Sequence, residues 1–222
     1  MTRPREEAGA RALFEPAVTR GLVARFRVVR LLQRFDERGV WAAFMFVNGF
    51  FTIGVLAGLA IVTGSPFVFP SLGPTAFLFF FDPSAPSATP RNAILGHAIG
   101  ICCGYGSLLL FGLEHAGPAT AVGVTGGRAL AAALSFAATG CLMILARAAH
   151  PPAGATTLLI SLGALTRPAH LVLIEGAVAL LVLQAIAINR LAGLDYPLWA
   201  RRRARSGAGA PGGQGGQGPP AP

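Results

Sequence analysis

The chain has little charge and no lysine. Only 12% of its 222 residues are Asp, Glu, Lys or Arg, and all 18 basic residues are arginine. Soluble domains carry about a quarter of their residues as charges, so water is excluded as the main solvent for most of this chain. Cysteine is scarce as well: Cys102, Cys103 and Cys141 each lie inside an apolar run, with no CxxC pair. Such residues read as small buried hydrophobes, not as a disulfide framework or a thiolate metal site. No Ser-His-Asp set, paired carboxylate or phosphate loop occurs, so no enzyme is expected. An early signal-type apolar stretch is lacking, and Glu6, Glu7 and Glu15 interrupt the arginine-rich start, against a transit peptide.

What is present is apolar: 53% of residues are hydrophobic and the mean hydropathy is +0.60. Four runs, 41–62, 93–113, 127–148 and 171–189, approach the roughly 20 residues that cross a bilayer. Two shorter runs are broken. Residues 65–81 contain Pro66, Pro70, Gly73 and Pro74, and residues 150–165 open with Pro151, Pro152 and Gly154. The expected fold is all-α: a polytopic transmembrane helical domain with four full-length helices and two short broken ones. GPTAFL at 73–78 aligns with GATTLL at 154–159, matching Gly73 with Gly154, Thr75 with Thr156 and Leu78 with Leu159. An interrupted segment between full helices in each half points to an inverted repeat and to a transporter-type site; chance likeness of small-residue helix starts is the competing reading.

The net charge of +9 sits at the ends, with nine Arg against five acids in residues 1–39 and four Arg in 200–205. This divides the chain into a basic segment 1–39, a transmembrane domain 40–200, and a basic then Gly/Pro-rich tail 201–222. Within 20–38, Leu22, Phe26, Val29 and Leu32 fall at helical spacing between arginines, which suits an amphipathic helix on an anionic leaflet. A solvated linker is the alternative there. Six passages would put Arg91, Arg147 and both tails inside; four, with re-entrant breaks, would put Arg91, Arg147 and Arg167 outside. The positive-inside rule favours six, in an inner (plasma) membrane with both termini cytoplasmic.

Two features carry candidate function. Gly96, Gly100 and Gly104, and separately Gly54 and Gly58, are lines along which helix backbones could touch, including those of a homo-oligomer. The breaks at Ser71, Gly73 and Thr75, and at His150, Pro151, Pro152, Gly154, Thr156 and Thr157, would start short helices inside the membrane. Their free N–H groups and positive dipole ends, with hydroxyls and no carboxylate nearby, suit a small anion. The alternative is a structural kink. Arg91, Asn92, His97, Arg147 and His150 are candidates for an electropositive inner mouth, and Glu175 could pair with Arg128 on the outer side. A haem or metal redox site on His97 and His150 is the rival from another class, and a scaffold that only joins helices is a third reading. No cofactor or nucleic acid is expected; the partners are the lipid bilayer and a small anion.

The residues resemble the HPP membrane proteins. The motif is His150-Pro151-Pro152 followed by AGATTLL, with PSLGPTA at 70–76, PRN at 90–92, Gly96-His97 and YPLW at 196–199. The resemblance covers about residues 40–200. It implies likeness to plastid and cyanobacterial nitrite transporters, hence passage of a small inorganic anion, and a family description of four spans. The resulting expectation is a transporter or channel for such an anion, with nitrite as the implied substrate.

Overall fold

The computed structural model describes residues 28–201. In chain order the elements are α1 (Val28–Leu32), α2 (Glu37–Thr63), α3 (Leu72–Phe81), a 3-10 turn (Pro86–Ala88), α4 (Pro90–Leu110), α5 (Ala119–Val122), α6 (Gly126–Leu145), α7 (Ala153–Ser161) and α8 (Pro168–Leu191). Four of these, α2, α4, α6 and α8, are long and apolar enough to cross a membrane. The described residues contain no strand.

Local chemistry sets the helix limits. Asp36 caps α2 by accepting from the Gly39 N–H at 3.0 Å, and Gly64 ends it at φ 62°, a left-handed conformation that glycine adopts without strain. Pro90 and Pro168 open α4 and α8, where a missing N–H costs nothing. Of the amphipathic segment expected over 20–38, the described residues contain α1. Arg34 and Phe35 turn back onto the Leu31 carbonyl and Asp36 then starts the next helix. Leu22 and Phe26 lie outside the described residues. The third apolar run stops at Leu145, because Arg147 takes φ 51° and turns the chain inward.

The domain is apolar outside and polar at its centre. Phe46, Phe50, Ile61, Val62, Ile144 and Val172 are largely exposed, while Thr75, His97, His150, Thr156 and Thr157 are fully buried. Water would punish that outer surface; lipid does not.

Contacts at the two ends give the path. One end gathers Val28, Pro83, Ala88, Arg91, Arg147, Ala192 and Trp199: Val28 bonds Ala192, Arg91 bonds Trp199 and Arg147, Tyr196 bonds Ala88, and Arg201 bonds Pro83. The opposite end gathers Ala116, Gly117, Ala119, Arg128, Ser161 and Leu162. Between them the described chain passes six times: α2, segment 64–81, α4, α6, segment 147–162 and α8. Both described termini lie at the first end, called here the tail end. The first three passages and the last three run in opposite directions, so the halves are inverted.

Candidate functional site

Each half contributes one half-length helix. α3 fills the tail-side half of its passage, preceded by the irregular segment 64–71. α7 fills the far half of its own, preceded by the turn at 146–152. Their N-terminal turns therefore meet deep inside the domain. Between them stands His97, about two turns into α4.

The glycine line makes this meeting close. A Cβ on Gly96 would lie 2.7 Å from the His150 Cβ, one on Gly100 2.9 Å from both the Ala153 carbonyl and Thr157 Oγ1, and one on Gly104 3.0 Å from Ile160 Cβ. α7 is thus pressed along α4 at backbone distance, and this seam is the most extensive helix contact in the domain. Gly54 and Gly58, by contrast, have open space around them. They join no helices among the described residues.

The side chains at the meeting point form one chain of hydrogen bonds. His150 Nδ1 lies 2.8 Å from the Ser87 carbonyl, His150 Nε2 3.2 Å from Thr75 Oγ1, His97 Nε2 2.9 Å from the same Oγ1, and His97 Nδ1 2.8 Å from Thr156 Oγ1. A carbonyl can only accept, so His150 must donate from Nδ1, and in the neutral ring its Nε2 must accept. The one Thr75 proton goes to His150 Nε2 or to the Ser71 carbonyl, each 3.2 Å away. In both cases Thr75 accepts from His97 Nε2, and Thr156 donates to His97 Nδ1. A second pair extends the cluster: Thr157 Oγ1 lies 2.9 Å from Thr139 Oγ1 on α6. Ser71 Oγ, at the start of α3, is buried with no hydrogen-bond partner.

Of the residues singled out in the sequence, Ser71, Thr75, His150, Thr156 and Thr157 come together here, with Pro151 and Pro152 forming the turn into α7. Gly73 is exposed with open space around it, and Gly154 packs on Phe136, where an added Cβ would lie 3.0 Å from the ring. The expectation of free amides holds less well at α7. Its first N–H groups, on Ala153, Gly154 and Ala155, bond the carbonyls of His150, Pro151 and Pro152 at 3.0, 3.0 and 3.1 Å.

His97 is not part of a mouth, because it is fully buried at the centre. His150 likewise lies deep, since the turn at Arg147 carries the chain inward before α7 begins. Arg91, Asn92 and Arg147 do gather at the tail end. There the Arg91 guanidinium donates to the Arg147 and Ala146 carbonyls at 2.8 and 3.1 Å, capping α6. Asn92 donates to Pro86 and Ala149, which pins the inward turn. Only the Arg147 side chain is exposed.

The pairing of Glu175 with Arg128 does not form. Arg128 is buried and donates to the carbonyls of Ser161, Ala116 and Gly117, whereas neither Glu175 oxygen has a partner. As for a metal, the described residues contain no group of three or more ligating side chains. The four ring nitrogens of His97 and His150 already face three hydroxyl contacts and a carbonyl.

Ser87 and Thr139 were not foreseen as members. Ser87 serves through its backbone, which leaves no trace in residue type. Thr139, a hydroxyl in the apolar second half of α6, was a usable signal.

The repeat register is visible in the side chains. Thr75 and Thr156, which occupy matching places in the two halves, bond the two nitrogens of the same imidazole. The matching partner of His150 is Phe69 and that of His97 is Val178, both buried. The histidines therefore depart from the repeat, while the threonines obey it.

These features define a class: a multi-pass helical membrane protein of two inverted halves, with half-length helices meeting at a sealed polar centre. The chain belongs to the HPP transmembrane family, whose transmembrane-region model matches residues 37–197. A transmembrane protein of Dictyostelium discoideum is 35% identical over 98 residues, which is 44% of this chain and 28% of that protein. The match thus spans little more than a quarter of that relative's length. No solved structure matches.

Proposed function

We propose that this protein is a transporter or channel for a small inorganic anion, nitrite being the substrate implied by the family resemblance, and not an enzyme. The observation that carries the reading is the meeting of two half-helix N-termini around hydroxyl donors in the middle of a membrane domain. Each N-terminus brings a partial positive charge, and the unpartnered Ser71 hydroxyl supplies a free donor beside the Thr75, Thr156 and Thr157 hydroxyls, which are bonded within the cluster, with no carboxylate among them. Interrupted helices in inverted halves are the architecture in which transporters place such sites.

In the arrangement described, the cluster is sealed from both ends, as an occluded state requires. Access comes from α3 or α7 moving against α4, and the glycine seam is a flat track for that motion. The reading places the protein in the inner (plasma) membrane with both termini in the cytoplasm, where Arg147 and the basic ends draw anions to the tail end.

Purified protein in liposomes, challenged with nitrite, nitrate, formate and chloride in turn, tests the reading. Protein-dependent flux of nitrite, reduced by Thr156→Val, is the expected result. No flux of any of the four anions above protein-free vesicles would end it.

A further inference from the structure

We propose that the His97–Thr75–His150 chain takes up one proton for each anion bound, so that the pair enters the site together and the anion travels as a proton co-substrate. The proposal rests on the anion reading above.

The first argument is charge. The cluster consists of hydroxyls and two imidazoles and holds no fixed cation. Arg91 is committed to carbonyls at the end of α6, and Arg128 to carbonyls at the opposite end. A monovalent anion brought into this sealed interior is uncompensated unless a proton accompanies it, and an uncompensated charge there is costly. Within the hydrogen-bonded cluster the groups that can carry that proton are His97 and His150.

The second argument is geometric. Thr75 Oγ1 has three partners, His97 Nε2 at 2.9 Å, His150 Nε2 at 3.2 Å and the Ser71 carbonyl at 3.2 Å. With both rings neutral, Thr75 accepts from His97, and its one proton is contested by His150 Nε2 and the Ser71 carbonyl. When a proton from the solvent forms an N–H bond at His150 Nε2, that ring becomes a donor on both sides. Thr75 then accepts from both imidazoles through its two lone pairs and turns its hydroxyl proton to the Ser71 carbonyl. No bond is left broken and no heavy atom moves. The added positive charge is balanced by the anion, and its release returns the proton to solvent and the hydroxyl to its first orientation.

The groups facing this pair are few. α3 brings Thr75 and, through Phe79, lies between His150 and Tyr196. α4 brings His97 itself and, nearer the tail end, Asn92 and Arg91. α6 brings Met143 beside Gly96, and Thr139 through Thr157; α7 brings Thr156 and Thr157. None of these supplies a carboxylate; α8, packed on α3 and α4, carries Glu175, whose oxygens make no hydrogen bond to the cluster. The two remaining histidines, His115 and His170, lie at the opposite end of the chain's path, outside the cluster.

Binding and protonation at one site are reciprocal. Each favours the other by the same factor, so affinity must fall as protons become scarce. The test uses purified full-length protein in lipid nanodiscs, with sodium nitrite as the probe. Nitrite affinity is measured from about pH 5 to about pH 8, the range in which imidazoles change charge, and proton uptake on mixing is read in weak buffer. The expected result is about one proton taken up per nitrite, with Kd rising about tenfold per pH unit at the alkaline end. Thr75→Ser, which keeps the two-way hydroxyl, retains this slope, and so does the double change His115→Gln with His170→Gln. Thr75→Val, or His97→Gln with His150→Gln, abolishes it. Nitrite binding with a flat pH profile and no proton uptake overturns the coupling and leaves the anion site standing. No binding of nitrite at any pH overturns both. A slope that survives loss of His97 and His150 also overturns the proposal. Should those variants fail to fold, the wild-type proton count decides alone.

Discussion

The Ser87 carbonyl oxygen lies 2.8 Å from His150 Nδ1, and this contact fixes the tautomer of the neutral His150 ring at one end of a chain that reaches to Thr156. The expected consequence is a definite pair of tautomers near neutral pH: His150 protonated at Nδ1, His97 at Nε2. Long-range nitrogen–proton correlation spectra of imidazole-labelled protein distinguish them, because protonated and bare ring nitrogens resonate far apart. Finding His150 protonated at Nε2 alone would mean that the Ser87 bond does not set that tautomer.

Thr156 is the far end of that chain and has no substitute. In Thr156→Val the His97 Nδ1 nitrogen, fully buried, loses its donor. An unsatisfied buried acceptor costs about 1–3 kcal/mol, so thermal stability falls, and anion uptake should fall by about tenfold or more with it. Thr156→Ser restores both. A valine variant with the melting temperature of wild type would show that His97 finds another donor.

How much of this was legible in the sequence depends on what each feature is made of. The four long helices and both breaks follow from hydropathy and from Pro70, Gly73, Pro151 and Gly154, and the structure places them within a few residues of expectation. The α4 glycine line was legible as a packing seam, though not its partner, since small residues announce a close approach without naming what approaches. The depth of His97 and His150 was not legible. It follows from the left-handed turn at Arg147 and from the bond that holds Arg91 to its carbonyl, and tertiary contacts of this kind have no local signature. The misread Arg128 shows the same limit: charge suggested a carboxylate partner, but three carbonyls at the ends of loops and helices took it.

The two glycine lines should respond oppositely to an added methyl group. Gly100→Ala places a Cβ 2.9 Å from the Ala153 carbonyl and from Thr157 Oγ1, so α7 must move off α4. Overpacking of this order costs about 1–3 kcal/mol. Gly54→Ala meets nothing within 4 Å, and alanine favours the helix by about 1 kcal/mol. Melting in detergent should therefore separate the two, the first lowered and the second unchanged or raised. Equal melting temperatures would refute the α4–α7 seam.

Arg128 and Gly163 form a second paired test. Gly163 has φ 84°, and a Cβ there would lie 2.9 Å from the Arg128 guanidinium nitrogens. Gly163→Ala is thus strained in the backbone and crowded at the cation. Arg128→Met fills part of the space but leaves the Ser161, Ala116 and Gly117 carbonyls without their donor. Both should lower stability, and the double variant should cost less than the sum, because the crowded cation is gone. Strict additivity, measured as a double-mutant cycle on melting, would show that the two residues do not act on each other.

The passage count gives the last prediction. Six passages put the loop around Ser84 at the same end as both described termini, tied there by the Arg201 bond to the Pro83 carbonyl and the Tyr196 bond to Ala88. Four passages with re-entrant breaks would put that loop across the membrane from them. Ser84 and Ala200 are exposed at the tail end, and Thr120 is exposed at the other. Single cysteines at these positions are read against a background lacking Cys102, Cys103 and Cys141, two of which are exposed along the helices and would otherwise react. In intact cells an impermeant thiol reagent should label Thr120→Cys and spare Ser84→Cys and Ala200→Cys; in opened membranes all three should react. The comparison between Ser84 and Ala200 carries the result, since it does not depend on which end faces the cytoplasm. Should Ser84→Cys be labelled while Thr120→Cys and Ala200→Cys stay protected, segment 64–81 returns to the side it came from, and the inverted arrangement of the halves falls with it.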